Sequence, residues 1–334
     1  MRIRGLRSGG LIVTYRCTAA CGHCIQNSSM QREGHYITRD EVRGVLQEVR
    51  SLGCRSLHIG GGEPFIDLDG LCVVMKEMRS AGMEIDYLET NGFWAKDKKR
   101  AVETARRIAG IANVTVMLSL CPYHAPYVPL ASVRNALEAC AAAGLYTFVW
   151  QEQFAREVMA LGDESKTHTL AEYEAMFPGA TDKLPARFGV NLLGRAAATH
   201  QNLRSTPVEA LLAQSAPCAG PLRAGHFHVD CFGDFQPPGC PGLGIGLQDA
   251  GDIAREKYPT VYALTEGGVR ALYDAAASTG FVAKRSYGSL CALCQDARAH
   301  LALRDGESWP DLRPHGFYEE ILRTGIEPLN GFAG

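Results

Sequence analysis

The sequence predicts an α/β fold: about six βα units around a parallel sheet, followed by a small α+β domain. Three observations carry this. Apolar β-branched runs alternate with amphipathic helical periodicity from residue 11 to about residue 215. That rhythm stops near Ala216, where a hairpin pattern and a Pro/Gly-dense stretch begin. Of 334 residues, 46% are apolar and 21% charged, which permits a sizeable core and excludes wholesale disorder.

The expected strands are Leu11 to Tyr15, Ser56 to Gly60, Glu84 to Thr90, Val114 to Leu120, Tyr146 to Gln151 and Arg187 to Leu192. Between the first two, Val42, Val45, Leu46, Val49 and Leu52 recur at helical spacing, opened by a Thr38/Glu41 capping box and closed by Gly53. Similar starts lie at Thr169 with Glu172 and at Thr206, with Pro207 in the first helical position and Glu209 following. The run Lys96 to Arg100 reads as a solvated helix start. His228 to Phe235 reads as a hairpin turning at Gly233-Asp234, and helical patterning returns over Val261 to Ala277 and Phe317 to Arg323. The expected organisation is a barrel-type domain over 1–215, a smaller domain over 216–300 and a tail over 301–334.

Charge and cysteine content narrow the function. Thirty-four basic against 36 acidic residues leave a net charge of −2, too little field to hold a nucleic acid. No stretch approaches the ~20 apolar residues of a membrane span, and Leu11 to Val13 is too short for a signal segment. A cytoplasmic location is expected. Twelve cysteines in a reducing compartment ask for a metal or redox role instead of disulfides.

Directly after the first expected strand stands Arg16-Cys17-Thr18-Ala19-Ala20-Cys21-Gly22-His23-Cys24, a C-x3-C-x2-C array. Three thiolates on one short loop hold three irons of a 4Fe-4S cube and leave the fourth iron open; a cluster with four cysteines is an electron carrier. The alternative is a zinc knuckle with His23 as fourth ligand. Gly60-Gly61-Gly62-Glu63-Pro64 ends the second expected strand, where glycines let a ligand approach the backbone.

The array followed by this Gly-Glu-Pro segment resembles the radical S-adenosylmethionine (radical SAM) superfamily. The resemblance implies a partial (β/α)6 barrel, with Cys17, Cys21 and Cys24 holding the 4Fe-4S cluster. S-adenosylmethionine (AdoMet) would bind the open iron and be cleaved to methionine and a 5′-deoxyadenosyl radical. Gly61, Gly62, Glu63 and Pro64 would lie beside the methionyl group, with Glu63 facing its ammonium, and His23 beside adenine. Asn91 after strand three, Ser119 at the end of strand four and Arg195 after strand six would complete the cofactor contacts. Two departures stand out: Ser119 is followed by Leu120-Cys121-Pro122-Tyr123-His124 without an acidic residue, and strand five, Phe148 to Glu152, lacks a Gly-rich adenine motif.

The second domain carries Cys218, Cys231, Cys240 and the pair Cys291-Ala-Leu-Cys294. This layout resembles the twitch subdomain, a shortened relative of the SPASM domain. By that likeness Cys218, Cys240, Cys291 and Cys294 hold one auxiliary 4Fe-4S cluster, with Cys231 left over. The same four thiolates also suit zinc.

The resemblance implies hydrogen-atom abstraction from a small natural-product intermediate or a peptide. The auxiliary cluster would accept an electron to complete a two-electron oxidation, a dehydrogenation or a crosslink. Tyr123, His124, Glu152, His226 and His228 are candidate bases for the accompanying proton. A redox-neutral epimerisation with Cys121 as hydrogen donor is the alternative, and a non-enzymatic iron-sulfur or zinc protein a third. A reducing partner such as flavodoxin or ferredoxin is implied. The barrel is expected to begin by residue 11, with no fused peptide-recognition domain expected ahead of it.

Overall fold

Short apolar runs, buried almost throughout in β1, β2 and β4, produce one eight-stranded sheet in the computed structural model, which describes residues 1–200 and 205–323. Its strands are β1 (Ser8–Ile12), β2 (Ser56–Gly60), β3 (Glu84–Thr90), β4 (Thr115–Ser119), β5 (Tyr146–Trp150), β6 (His226–Asp230), β7 (Asp234–Gln236) and β8 (Ile245–Gly246). They lie in the order β5-β4-β3-β2-β1-β6-β7-β8. The first five are parallel, β6 pairs parallel with β1, and β7 and β8 run antiparallel. The parallel strands are joined by α1 (Arg39–Ser51), α2 (Leu68–Ser80), α3 (Lys98–Ala109) and α4 (Leu130–Ala142). This is a mixed α/β fold with a mainly parallel sheet, in keeping with a partial barrel.

The local signals act as elementary chemistry requires. The Glu41 carboxylate accepts from the Thr38 N–H at 2.7 Å, and the Thr38 hydroxyl accepts from the Glu41 N–H, so α1 starts with its exposed amides satisfied. Its apolar stripe, Val42, Val45, Leu46 and Val49, is buried. Thr169 and Glu172 repeat the box ahead of the helix Leu170–Met176. The Asp97 side chain caps α3 by accepting from the Arg100 N–H, which makes Lys96 to Arg100 a solvated helix start. The hairpin between β6 and β7 closes because the buried Asp230 carboxylate accepts from the Phe232 and Asp234 N–H groups, with Gly233 at φ +81°. The helices Pro259–Ser278 and His315–Arg323 bracket the two expected near the end of the chain. The last part of the expected tail, 324–334, lies outside the described residues.

Two strand expectations need correction. The first strand begins at Ser8 and ends at Ile12, because Ser8 to Ile12 pair with β6 and Gly10 to Ile12 pair with β2 as well. Beyond it the Ile37 N–H donates to the Val13 carbonyl and Thr14 bridges to Tyr36, so Val13 to Tyr15 belong to the loop. The sixth strand, Arg187 to Leu192, does not form. Arg187 and Phe188 finish the helix Ala180–Phe188, Gly189 caps it at φ +72°, and the Val190 N–H turns back to the Pro185 carbonyl. The sheet therefore ends at β5, whose Tyr146 and Trp150 are exposed. At the other edge β6 continues the sheet from β1 past residue 216, in register Gly10 to His228. Among the described residues no helix is long and apolar enough to cross a membrane.

Candidate active site

The carboxyl ends of β1 to β5 converge on the loop that carries Cys17, Cys21 and Cys24, the end of a parallel sheet where ligands bind. That loop is tied down along its length. The Cys17 N–H donates to the Ser29 carbonyl at 3.1 Å, and the Cys24 N–H to the Cys21 carbonyl at 3.0 Å. From β2, the Gly62 N–H donates to the Thr14 carbonyl and the Glu63 N–H to the Arg16 carbonyl, both at 2.8 Å. Two backbones approach so closely that a Cβ at Gly62 would sit 2.0 Å from the Arg16 carbonyl oxygen, and one at Gly61 2.6 Å from that of Thr14. The glycines thus admit the cysteine loop itself, a use beyond the ligand approach expected of them. Gly62→Ala should cost about 2–4 kcal/mol of folding stability by chemical denaturation, since backbone faces backbone and no side chain can yield.

Glu63 follows as a buried brace. One carboxylate oxygen accepts from the Thr90 hydroxyl (2.8 Å) and the Phe65 N–H (3.1 Å), the other from the Asn91 N–H (2.7 Å). Burial raises its pKa to about 7 against those hydrogen bonds. Its lone pairs are largely spent joining β2 to β3, and it sits behind the cavity wall. Pro64 opens the short 3-10 turn Pro64–Ile66 for which Glu63 is the cap. Asn91 carries the bracing onward: its side-chain amide donates to the Thr18 hydroxyl at 3.1 Å and lies 3.8 Å from the Cys17 sulfur.

Of the expected residues, Cys17, Cys21, His23, Cys24, Gly61, Gly62, Asn91, Ser119, His124, His226 and His228 line one cavity of about 460 Å³. Their donors suit a thiolate cluster. The Cys17 and Cys24 sulfurs already accept N–H groups from Ala19 and Ser28, each at 3.4 Å. His23 packs on Tyr123 with ring centroids 4.6 Å apart, and its buried Nδ1 has no hydrogen-bond partner.

Besides Glu63 and Pro64, four more expected residues are elsewhere. Arg195 does not line the cavity: its guanidinium donates to the Cys21 carbonyl (3.1 Å), the Ser28 carbonyl (3.0 Å) and Glu320 (3.2 Å), so it clamps the cysteine loop from behind. Tyr123 is 1% exposed with its hydroxyl 2.9 Å from His200 Nε2. Cys121 is buried behind His124, its sulfur 3.0 Å from the His124 Nδ1. Glu152 is exposed in a short turn after β5. The departure of the chain after Ser119 explains Cys121 and Tyr123, which follow the end of β4 into a loop where side chains no longer alternate toward the cavity.

Sequence reasoning missed Tyr87 and Glu89, which line the cavity from β3. Burial and the neighbouring Glu63 push the Glu89 carboxyl up to about 7. The signal was present: in Asp86-Tyr87-Leu88-Glu89, strand alternation puts Tyr87 and Glu89 on one face.

The second set of cysteines also converges. A Cβ at Gly220 would sit 3.2 Å from the Cys218 sulfur and 3.4 Å from that of Cys240. Cys291 lies in the first turn of the helix Leu290–Asp305, capped by Ser289, where the positive end of the helix favours thiolates, and Cys294 follows three residues on along the same face. Burial pushes Cys240 up to about 12, with Arg298 opposing it and the other three thiols within electrostatic reach. Arg298 is fully buried beside Cys294 and Cys240, a cation that sequence reading did not single out. These donors fit a tetrathiolate group. Cys231 stays apart, in the hairpin turn beside Asp230.

Gly194 and Arg195 connect the two sets. The Arg195 N–H donates to the Cys24 carbonyl at 3.0 Å, and the Gly194 N–H to the side chain of Gln295, the residue after Cys294, at 2.6 Å.

Residues 11–121 match the radical SAM superfamily. The putative peptide biosynthesis protein YydG of Bacillus subtilis is 28% identical over 124 residues, 37% of this chain and 38% of that protein. GTP 3′,8-cyclase of Tolumonas auensis is 30% identical over 90 residues, 26% of each chain. The chain thus covers less than two-fifths of the length of these relatives. Streptococcus suis SuiB, crystallised with S-adenosylmethionine, aligns at TM-score 0.42 and 13% identity over 92% of this chain and 76% of its own.

Proposed function

We propose that this chain, whose residues 11–121 match the radical SAM superfamily, oxidises a peptide by two electrons, forming a crosslink or an unsaturated bond. Cys17, Cys21 and Cys24 would hold a 4Fe-4S cluster which, together with AdoMet, would supply radical hydrogen-atom abstraction, and Cys218, Cys240, Cys291 and Cys294 would hold a second cluster able to accept an electron.

The protein's own residues do the rest. Asn91, Glu63, Gly62 and Arg195 hold the cysteine loop rigid, so the thiols stay aimed at the cavity. His23 receives the nucleoside side of the cavity, with Ser119 on the same wall. His124 accepts the substrate proton: burial lowers its pKa to about 4, so it is neutral near pH 7 and its ring faces the cavity. Arg298 balances the charge of the four auxiliary thiolates.

The observation that carries the oxidative reading is the gathering of those four thiols beside a buried arginine, linked through Gln295 and Gly194 to Cys24. The peptide preference rests on the likeness to YydG. The epimerase reading requires a thiol facing the cavity, and Cys121 is instead screened by His124. Anaerobically reconstituted protein should contain about eight irons and sulfides per chain. On reduction with AdoMet it should release 5′-deoxyadenosine. About four irons with one zinc would demote the oxidation, and a substrate product carrying solvent deuterium with inverted stereochemistry would replace it by epimerisation.

A further inference from the structure

Away from the cysteines, a second group of ligating side chains fills the sheet face over β1. Gly10 pairs with His58 of β2 on one side and with His228 of β6 on the other, and His226 lies two residues before His228 on the same face. Gly10 is needed for this: a Cβ there would lie 2.1 Å from the His58 Nε2. The three imidazoles crowd the space that a side chain would otherwise occupy. One ring nitrogen from each of His58, His226 and His228 falls within 4.8 Å of the others.

Three independent features mark this as a built site. His58 is 1% exposed, yet its Nε2 has no hydrogen-bond partner. Leaving such a nitrogen unsatisfied is costly in a protein interior, a cost that a bound ion would remove. A carboxylate is at hand, since Glu89 Oε1 lies 3.5 Å from that nitrogen, in room left by Gly60. Outer contacts orient the rings: Ser8 Oγ lies 3.4 Å from the His226 Nδ1, and Tyr87 lies parallel to the His58 ring at 4.8 Å.

We propose that His58, His226 and His228, with Glu89 as a fourth ligand, bind a divalent transition-metal ion of the zinc type. Imidazole and carboxylate donors suit such ions, and metal–nitrogen bonds of about 2.0–2.1 Å bring ligand atoms to roughly 3.4 Å from one another. Side-chain rotations of about an ångström close the present spacing. His226 and His228 line the same cavity as the cysteine loop, so the ion faces the space where substrate enters. The site does not depend on the radical reading.

Cobalt(II) is the probe. Tag-free full-length protein with its cysteine clusters reconstituted is titrated anaerobically, and bound cobalt is read by elemental analysis and by visible d–d absorption. One added equivalent is expected, without thiolate-to-cobalt charge transfer. His226→Gln, at a solvent-exposed position that should fold normally, and His228→Gln should each weaken it at least about 10-fold. Cys121→Ala, in the separate group with His23 and His124, should leave it unchanged. No added equivalent, a thiolate charge-transfer band, or binding indifferent to both histidine substitutions would overturn the site. Neither AdoMet nor reductant is present, so this result is independent of whether the cysteine loop performs radical chemistry.

Discussion

Cys21→Ala should lower 5′-deoxyadenosine release by at least about 1000-fold, equivalent to roughly 4 kcal/mol of barrier, while the protein stays folded. The two halves of this expectation have separate grounds. Cys21 lies in the middle of the loop, 6% exposed, packed with Ala19 and Cys121. Alanine keeps most of that small apolar volume, and the loop is held by main-chain bonds that do not involve the thiol, including the Arg195 clamp on the Cys21 carbonyl. Removal of the sulfur leaves two thiols for a group that takes three from this loop. The iron content should fall by about four per chain, with thermal stability of the apo-protein shifted little. Cys54→Ala is the control. Cys54 is fully buried with its thiol donating to the Ser56 carbonyl, so its loss should cost about 1 kcal/mol and leave iron and cleavage intact. Cleavage persisting at wild-type rate in Cys21→Ala would remove the radical reading altogether.

What could be read in advance divides by the range of the interactions involved. Thr38 with Glu41 and Thr169 with Glu172 satisfy helix amides three residues apart, so their role is complete within one turn of chain. The cysteine loop is similarly local. Arg187 to Leu192 was misread because its apolar content suits a strand equally well, and the deciding factor, Gly189 closing a helix that starts at Ala180, lies in the preceding segment. Arg195 was assigned to the cavity on motif alone. Its partners Cys21, Ser28 and Glu320 are 174, 167 and 125 positions away in different parts of the chain, and no local pattern announces them. The histidine group is the extreme case. His58, Gly10 and His228 become neighbours only because β6 returns to pair with β1, a crossover that the expected break near residue 216 hid.

Cys294→Ala should uncouple the two cysteine sets: bound iron falls by about four per chain, 5′-deoxyadenosine is still released, and oxidised product falls by at least about 100-fold. Cys294 stands near the start of its helix, with Arg298 one turn further along the same face. Its partners are Cys291 from the same helix and Cys218 and Cys240 from elsewhere in the chain, so three thiols remain where four are needed. The buried Arg298 then loses part of its compensating charge, and the stability cost should reach about 2–4 kcal/mol, close to that of breaking a buried ion pair. Arg298→Met separates charge from ligation. It keeps all four thiols and most of the buried volume, so iron content should hold, while the potential of the auxiliary centre should move negative because a nearby cation is gone. Gln295→Ala adds the mechanical arm by cutting the 2.6 Å bond to the Gly194 N–H without touching either set of thiols. If that bond transmits position between the two sites, product should fall several-fold with iron content and AdoMet cleavage unchanged. Should Cys294→Ala form product at the wild-type rate with half the iron, the four thiolates would be a structural brace and the electron would have to leave by another route.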